Sequence, residues 1–268
     1  MSAPETAVNG ALPVPPIPKA ALVTGGARRI GRALVLALAE DGYAVAIHHH
    51  RSRRDAGTLL AELRELGRPA VGLAADLTDE AAVRRLLPDA EAALGGPIGV
   101  LVNNASIFGN DTMATVTRES WDAHFAVNLR APFVLIQEFA ARLPADAGGV
   151  VVNLLDERVW NLTPYFVSYT LTKSALWTLT RTLALALAPR IRVNGIGPGP
   201  TLPSPRQTEE QFLARVRAMP LGRGTGPDEV AAALRFILAA PAMTGQMIAL
   251  DGGEHLGWAQ PGHKAVVE

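Results

Sequence analysis

The sequence alternates short apolar, β-branched runs with longer segments of helical period, and this alternation restricts the fold more than any other feature. Seven runs have the residue types of strands: 20–24, 43–48, 70–74, 98–103, 149–154, 190–196 and 246–250. They are continuously apolar, as expected when both faces of a sheet are covered. The segments between them place apolar residues at i, i+3 and i+4. The pattern predicts a doubly wound parallel α/β sheet of about seven strands with helices on both faces.

Size and composition favour a single domain with a small-molecule partner. The 268 residues are 49% hydrophobic and 19% charged, which allows one sizeable core. With 25 basic and 25 acidic side chains the formal net charge is zero, so charge predicts no nucleic-acid and no membrane partner. The chain has no cysteine, which excludes disulfides and thiolate zinc sites and fits a cytoplasmic protein.

The composition also predicts where the domain begins and which segments lie outside its regular core. Residues 1–18 contain five prolines and no apolar signal region, which predicts a flexible tail before a domain spanning 19–268. GPGPTLPSPRQ, 197–207, predicts a substrate loop extending to about residue 218, although a plain surface loop is the alternative. Residues 254–268 follow the last strand and form a C-terminal tail.

The first strand is followed by TGGARRIGRA, a glycine-rich turn that leads into a helix. In this position glycines let backbone N–H groups and the helix N-terminus approach a pyrophosphate, which predicts a Rossmann-type dinucleotide site. The spacing departs from G-x-G-x-x-G, because Arg29 stands between Gly25 and Gly31 where a further glycine is usual. The Arg29 side chain can reach phosphate or a ligand held beside it.

The second strand ends in IHHHRSRR, and this segment predicts which nicotinamide cofactor is bound. NAD enzymes usually place an acid here for the ribose 2′-hydroxyl, but the first acid is Asp55. His50, Arg51 and Ser52 instead suit a 2′-phosphate, so NADPH is predicted. No metal site is predicted, because neighbouring histidines on a strand point to opposite faces.

Two further strand ends add polar side chains at the same sheet edge. Asp76, after the third strand, could accept a hydrogen bond from an adenine amino group, or could instead cap a helix beginning near Thr78. NNAS, 103–106, closes the fourth strand, where asparagines can tie the sheet edge together. Ligands bind at this edge in a doubly wound sheet.

A Tyr and a Lys four residues apart predict a proton-handling pair. Tyr169 and Lys173 lie on one face of a helix predicted over 167–187. An ammonium group near a phenol favours the phenolate and lowers its pKa.

From Lys19 to about Gly257 the sequence resembles the short-chain dehydrogenase/reductase family. The resemblance rests on TGGARRIG, AADL, NNAS, FAVNLRAP, YTLTK, NGIGPGP and TGQMIALDGG. It implies that Tyr169 donates or accepts the proton, that Lys173 orients the nicotinamide ribose, and that Asn128 supports a proton relay. The cofactor site that it implies comprises Gly25, Arg28, Arg29, Ile30, Gly31, His50, Arg51, Ser52, Asp76, Leu77, Asn104, Ala105, Ser106, Tyr169, Lys173, Pro198 and Gly199.

One catalytic position departs from the family. A serine that binds the substrate carbonyl usually stands thirteen residues before the tyrosine, and here that residue is Asp156. A carboxylate beside Tyr169 opposes phenolate formation and repels an oxyanion that develops from a ketone. A substrate nitrogen that must gain a proton suits this site better.

The same departure is found in a subgroup of the family, the pteridine reductases and dihydromonapterin reductases, which this sequence resembles in Asp156, Arg29, HRS at 50–52 and NNASIF. The resemblance implies NADPH-dependent reduction of a dihydropterin, and possible substrates include oxidised pterins and folate. The implied substrate site comprises Arg29, Ser106, Phe108, Asp156 and Tyr169. Phe108 would stack on the pterin ring.

Simpler roles remain open for three of these residues. Phe108 could be a core aromatic, Asp156 could cap a turn or pair with Arg158, and Arg29 could serve pyrophosphate alone. The alternative functions are a general short-chain dehydrogenase acting on a ketone, sugar or 3-oxoacyl thioester, and an NADPH-binding sensor without turnover.

The long helix also predicts self-association. Leu176, Leu183 and Leu187 are interpreted as a second apolar stripe facing outward. In related enzymes the equivalent helix packs against a partner, which implies a homotetramer or homodimer.

Overall fold

The computed structural model describes residues 15–203 and 207–257. Seven strands form one sheet in the order β3-β2-β1-β4-β5-β6-β7, and all neighbours pair in parallel. The strands are β1 Ala20–Val23, β2 Ala44–His49, β3 Ala70–Ala74, β4 Val100–Asn103, β5 Gly149–Leu154, β6 Ile191–Pro198 and β7 Met247–Leu250. Each predicted run overlaps one of these strands, so the predicted doubly wound Rossmann-type fold is confirmed.

Eight α-helices connect or follow these strands in the described part of the chain. They are α1 Arg29–Glu40, α2 Arg53–Glu65, α3 Glu80–Leu94, α4 Arg118–Phe125, α5 Ala131–Arg142, α6 Val167–Leu187, α7 Glu209–Arg217 and α8 Pro227–Ala239. A π-helical turn, Ala126–Arg130, joins α4 to α5, and short 3₁₀ turns cover Glu157–Val159 and Glu254–Leu256. None of the described helices has the length and apolar character needed to span a membrane.

The core has two layers because side chains on each strand alternate between the two faces of the sheet. On β4, Leu101 joins the cluster packed under α3, α5 and α6, whereas Val100 and Val102 join the cluster packed under α1, α2 and α8. Burying each aliphatic side chain of this size stabilises the fold by roughly 1.5–3 kcal/mol. Coverage of both faces explains why the strand sequences are continuously apolar.

The sheet order reverses between β1 and β4, and ligands bind at this point in doubly wound sheets. Buried amides fix the strand ends here. Asn103 Nδ2 donates to Asn153 Oδ1 at 2.9 Å, and Asn153 Nδ2 donates to Thr180 Oγ1 at 2.9 Å. These bonds link the carboxyl ends of β4 and β5 to α6, the helix that carries Tyr169.

The structure differs from the sequence predictions at the start of the chain. Residues 15–18 lie against the sheet: the Gly148 N–H donates to Pro16 O at 3.0 Å, and Ile17 packs on the core. This end of the predicted flexible tail is therefore part of the fold. Its remaining residues, 1–14, lie outside the described residues, as do residues 258–268 of the predicted C-terminal tail.

The predicted outward stripe on α6 is wrong. Leu176 is buried, and Leu183 and Leu187 pack against the core cluster. Residues seven and eleven positions apart share one helix face, and on α6 this is the face turned toward the sheet. A different face of α6, which includes Ala175 and Leu179, lines an apolar surface groove with α4 and α5.

Candidate active site

The glycine turn is held tightly between β1 and β4. Gly25 has a positive φ of 61°, and a Cβ on Gly31 would lie 2.2 Å from Gly25 O. Asn104 Nδ2 donates to Thr24 O at 2.8 Å and to Gly25 O at 3.1 Å. Because α1 begins at this turn with no side-chain cap, its first N–H groups suit an anionic group.

Arg29 occupies the backbone conformation that glycine would supply at this position. Its φ is 54°, a left-handed conformation that costs about 1–3 kcal/mol for a residue with a Cβ. Its guanidinium donates to Leu202 O and Pro203 O, each at 3.2 Å. Arg29 therefore links the glycine turn to the predicted substrate loop, which the sequence did not indicate.

His48 is part of the support of the glycine turn. Its Nδ1 accepts from the Gly25 N–H at 3.1 Å, and its Nε2 lies 3.1 Å from Ala75 O. Burial lowers the pKa of His48 to about 4, so the ring is neutral at physiological pH.

Within residues 15–203 and 207–257, no group of three or more His, Asp or Glu side chains could hold a metal ion.

The predicted cofactor residues of the first four strand ends line one crevice of about 660 Å³. They are Gly25, Arg28, Arg29, Ile30, Gly31, His50, Arg51, Ser52, Asp76, Leu77, Asn104, Ala105 and Ser106. The size of the crevice and its rim of arginines suit an extended, anionic dinucleotide.

Asp76 lies in this crevice and does not cap a helix. Its Oδ1 accepts from the Thr78 N–H at 2.9 Å and from Thr78 Oγ1 at 2.8 Å, and these bonds hold the pKa of Asp76 below its usual range. The following helix begins at Glu80 and is capped by Asp79. The alternative of a cap for a helix near Thr78 is therefore wrong, because Asp76 forms a local turn instead.

The predicted catalytic side chains meet at the end of β5. Tyr169 OH donates to Asp156 Oδ2 at 2.7 Å, and Lys173 Nζ donates to Leu154 O at 2.7 Å. Tyr169 and Lys173 are one turn apart on α6, while Asp156 follows β5 and begins the 3₁₀ turn. A carboxylate and a phenol in direct contact can share one proton and offer it to a substrate.

The pKa values of the pair on α6 follow from burial. Burial and the Asp156 charge raise the pKa of Tyr169 well above its usual value. Burial lowers the pKa of Lys173 to about 8, against the influence of Asp156. The expected lowering of the Tyr169 pKa by Lys173 is therefore outweighed, and Tyr169 carries its proton at neutral pH.

Asn128 lies in the π-helical turn that joins α4 to α5. Its Oδ1 accepts from the Ile107 N–H at 2.9 Å and lies 3.1 Å from Ser106 Oγ. Its Nδ2 donates to Ile107 O at 3.0 Å and to Thr172 Oγ1 at 3.3 Å. The Asn128 side chain thus ties the segment after β4 to α6, and it positions both Ser106 and the helix of Tyr169.

Two phenylalanine rings, which form an aromatic wall of the pocket, lie beside Tyr169. Phe108 stacks on Phe166, with ring centroids 4.5 Å apart, and meets the Tyr169 ring edge-on at 4.7 Å. Phe166 has a positive φ of 59° immediately before α6. Phe108 is therefore no isolated core residue: it lines the pocket, and one of its faces is covered by Phe166.

A series of acidic and basic side chains in contact with one another adjoins the pocket, and little in the sequence predicts it. Arg158 Nη1 lies 3.2 and 3.3 Å from the two oxygens of Asp156. Arg215, on α7, donates to Glu157 at 3.1 Å and to the two oxygens of Glu254 at 2.8 and 2.9 Å. Only the two-residue spacing of Asp156 and Arg158 could have predicted any of these contacts.

A second pocket, of about 230 Å³, adjoins the crevice and is lined by Asp156, Tyr169 and Lys173. The two share Arg29, Ile30, Asn104 and Ser106, so they form one continuous site. All five predicted substrate residues line this pocket, as do the remaining predicted cofactor residues: Arg29, Ser106, Phe108, Asp156, Tyr169, Lys173, Pro198 and Gly199. Phe212 and Arg215 also line it, and both lie on α7, so the later part of the predicted substrate loop is a helix.

Comparison with known proteins identifies the family. The family model described as short chain dehydrogenase matches residues 19–212, most of the chain. The protein is a member of the short-chain dehydrogenase family. The match covers the glycine turn, Asn128 and the Tyr169–Lys173 pair of this dehydrogenase.

Several relatives are known for the dehydrogenase. FolM Alternative dihydrofolate reductase 1 from Brucella suis, solved in complex with NADP, is 49% identical, with a TM-score of 0.87 over 91% of this chain and 97% of that one. A blue fluorescent protein from a metagenomic library, solved with NADPH, is 34% identical, with a TM-score of 0.80 over 88% and 97%. The 3-oxoacyl-(acyl-carrier-protein) reductase FabG of Staphylococcus aureus is 30% identical over 246 residues, 89% of this chain and 98% of FabG.

Proposed function

We propose that this dehydrogenase reduces a dihydropterin to the tetrahydropterin with NADPH. The observation that carries the proposal is the hydrogen bond from Tyr169 to Asp156, at the position where the family usually has a serine. A bound nicotinamide supplies the hydride, which goes to the ring carbon of a C=N bond. The Asp156–Tyr169 pair holds the proton that the adjacent nitrogen receives, and Lys173 orients the cofactor.

The charge of the site supports nitrogen as the proton acceptor. Ketone reduction builds negative charge on oxygen, and Asp156 would oppose that charge because no serine hydroxyl stands in its place. A C=N nitrogen is much more basic than a ketone oxygen, so it can take the proton before the hydride arrives, and a nearby carboxylate favours the resulting positive charge. The similarity to FolM Alternative dihydrofolate reductase 1 supports the same substrate class, which includes folates.

The second candidate function is reduction of a ketone, sugar or 3-oxoacyl thioester, and the similarity to FabG favours it. The two functions separate in one assay, in which loss of NADPH absorbance is followed with dihydrobiopterin, dihydromonapterin, dihydrofolate, oxidised pterin and an acetoacetyl thioester. Turnover of a dihydropterin supports the proposal. Turnover of the thioester alone would favour the second candidate function over the first. Tight NADPH binding without any turnover would indicate a sensor.

The preference for NADPH rests on the end of β2. Arg51 and Ser52 line the crevice where a 2′-phosphate would lie, and relatives were solved with NADP or NADPH. We expect Arg51→Ala to raise the KM for NADPH at least tenfold and leave the KM for NADH nearly unchanged, since a charge-assisted bond to the phosphate is worth about 1.5–3 kcal/mol. Arg54→Ala, whose side chain does not line the crevice, is the control. Equal loss with both cofactors would contradict the assignment.

We also propose that the protein acts as a homotetramer or homodimer in the cytoplasm. The groove between α4, α5 and α6 has a volume of about 550 Å³ and is lined mainly by apolar side chains, including Phe125, Leu129, Phe133 and Leu179. The same helices of a second copy would cover it. We expect Leu179→Glu to shift the sedimenting species to lower mass, whereas Leu66→Glu, on the exposed end of α2, leaves it unchanged. Sedimentation of the wild type as a monomer would contradict this assembly.

A further inference from the structure

Arg158 joins the two functional parts of the substrate pocket. On one side its guanidinium contacts both oxygens of Asp156, at 3.2 and 3.3 Å. On the other side it lies 5.5 Å from the ring centroid of Phe108 and 5.1 Å from that of Phe166. Arg158 is only 8% exposed, so water screens these contacts poorly.

A carboxylate in the usual serine position needs a compensating charge. Asp156 is mostly buried, with 13% of its side chain exposed, and it contacts Tyr169. The pKa of the Tyr169 phenol depends on the charges around it. A buried anion without a partner destabilises a protein strongly, and the neighbouring cation removes most of that cost. Arg158 supplies this cation from the same turn, two residues away.

Glu157, the carboxylate between them in sequence, does not take Arg158 away from Asp156. Burial, Asp156 and Glu254 raise the pKa of Glu157 to about 8, and Arg158 and Arg215 only partly oppose this effect. At neutral pH Glu157 therefore carries little charge. Its distance from Arg158 is 3.8 Å, longer than the contacts between Arg158 and Asp156.

We propose that Arg158 is a positioning residue: it balances the charge of Asp156, so that the shared proton stays on the Tyr169 hydroxyl and passes from there to the substrate. The identity of the accepting atom, a pterin ring nitrogen, rests on the proposed function. The step balances, because hydride from NADPH forms the C–H bond, the Tyr169 proton forms the N–H bond, and NADP⁺ and tetrahydropterin are the products. Solvent then returns a proton to Tyr169.

The titratable and charged groups around Asp156 come from four elements. Glu157 and Arg158 belong to its own 3₁₀ turn, and α6 contributes Tyr169 and Lys173. Arg215 of α7 and Glu254 of the last 3₁₀ turn act through Glu157. Among these groups, Arg158 is the cation in direct contact with both oxygens of Asp156.

Two variants separate charge balance from packing. Arg158→Lys keeps the positive charge but loses the planar fork, whereas Arg158→Met keeps length and apolar contact with the aromatic rings but loses the charge. We expect the Met variant to lower kcat at least tenfold with KM values within threefold, and to change the pH dependence of kcat. We expect the Lys variant to recover most of kcat and the wild-type profile. Arg142→Met, which breaks an ion pair with Glu91 outside the pocket, is the control.

A second measurement needs no substrate: the NMR chemical shift of the ¹³C-labelled carboxyl group of Asp156 in the full-length protein. The signal is assigned by its loss in Asp156→Asn. We expect the same carboxyl shift in the wild type and the Lys variant, because both keep a cation beside Asp156, and a different shift in the Met variant. Equal kcat values for the Lys and Met variants, or an unchanged carboxyl shift in the Met variant, would overturn the role of Arg158. If the shifts behave as expected but no dihydropterin is turned over, the role of Arg158 stands and the proposed substrate fails.

Discussion

Replacing Tyr169 by phenylalanine is expected to lower kcat/KM for the dihydropterin by about 10²–10⁴-fold, the usual contribution of a positioned proton donor. The physical reason is that the hydroxyl, which donates to Asp156 at 2.7 Å and keeps its proton at neutral pH, is the acid of the reaction. Phenylalanine keeps the ring and its edge contact with Phe108, so the wall of the pocket remains in place. Steady-state assays with NADPH measure the loss.

Two control measurements test whether the loss in Tyr169→Phe comes from the missing hydroxyl. Tyr165→Phe is the matched control, because Tyr165 is an exposed tyrosine in the same segment. The Kd for NADPH, from fluorescence titration, is expected to be unchanged in Tyr169→Phe, since Lys173 and the glycine turn are intact. A Tyr169→Phe enzyme with nearly wild-type kcat would show that another group donates the proton.

The second large effect is expected for Asp156→Ser, which restores the residue usual in the family. We expect kcat/KM for the dihydropterin to fall at least a hundredfold, because the carboxylate that holds Tyr169 in place is lost. A serine hydroxyl can instead bind a carbonyl, so any activity toward a 3-oxoacyl thioester should rise. Parallel assays of the wild type and the variant with both substrates measure this change in preference.

Stability must be measured alongside activity. Loss of Asp156 leaves the buried Arg158 without its closest carboxylate, and breaking a buried pair costs about 3–5 kcal/mol. A lower Tm is therefore expected for Asp156→Ser, and assays belong well below it. If Asp156→Ser folds and reduces the dihydropterin as fast as the wild type, the carboxylate has no part in the reaction.

The sequence predicted the fold well because its strongest signals are local and repeated. All seven strands carry continuous apolar runs, and α6 spans Val167–Leu187, as its period predicted. The pairing of Tyr169 and Lys173 followed from their spacing on one helix, and the interest of Asp156 followed from the resemblance to the family. Strand ends meet at one edge of a parallel sheet, so these motifs converge in space.

The features that the sequence did not predict, or predicted wrongly, depend on contacts between segments that are distant in the chain. The Arg29 contacts to Leu202 and Pro203 and the Arg215 contact to Glu157 depend on how a loop and α7 fold back, which no short motif encodes. The outward stripe on α6 was misjudged because period alone does not say which apolar face meets the sheet. The pKa of Tyr169 was misjudged because the degree of burial is a property of the whole fold.

The contact between Asp156 and Arg158 also bears on how such a reductase can arise from an ancestor with the usual serine. A change at position 156 alone leaves the buried Arg158 without this carboxylate, and a change at position 158 alone leaves Asp156 without this cation. We therefore expect the effects of substitutions at 156 and 158 on stability to be non-additive. Altering substrate class by directed evolution therefore requires libraries that vary both codons together.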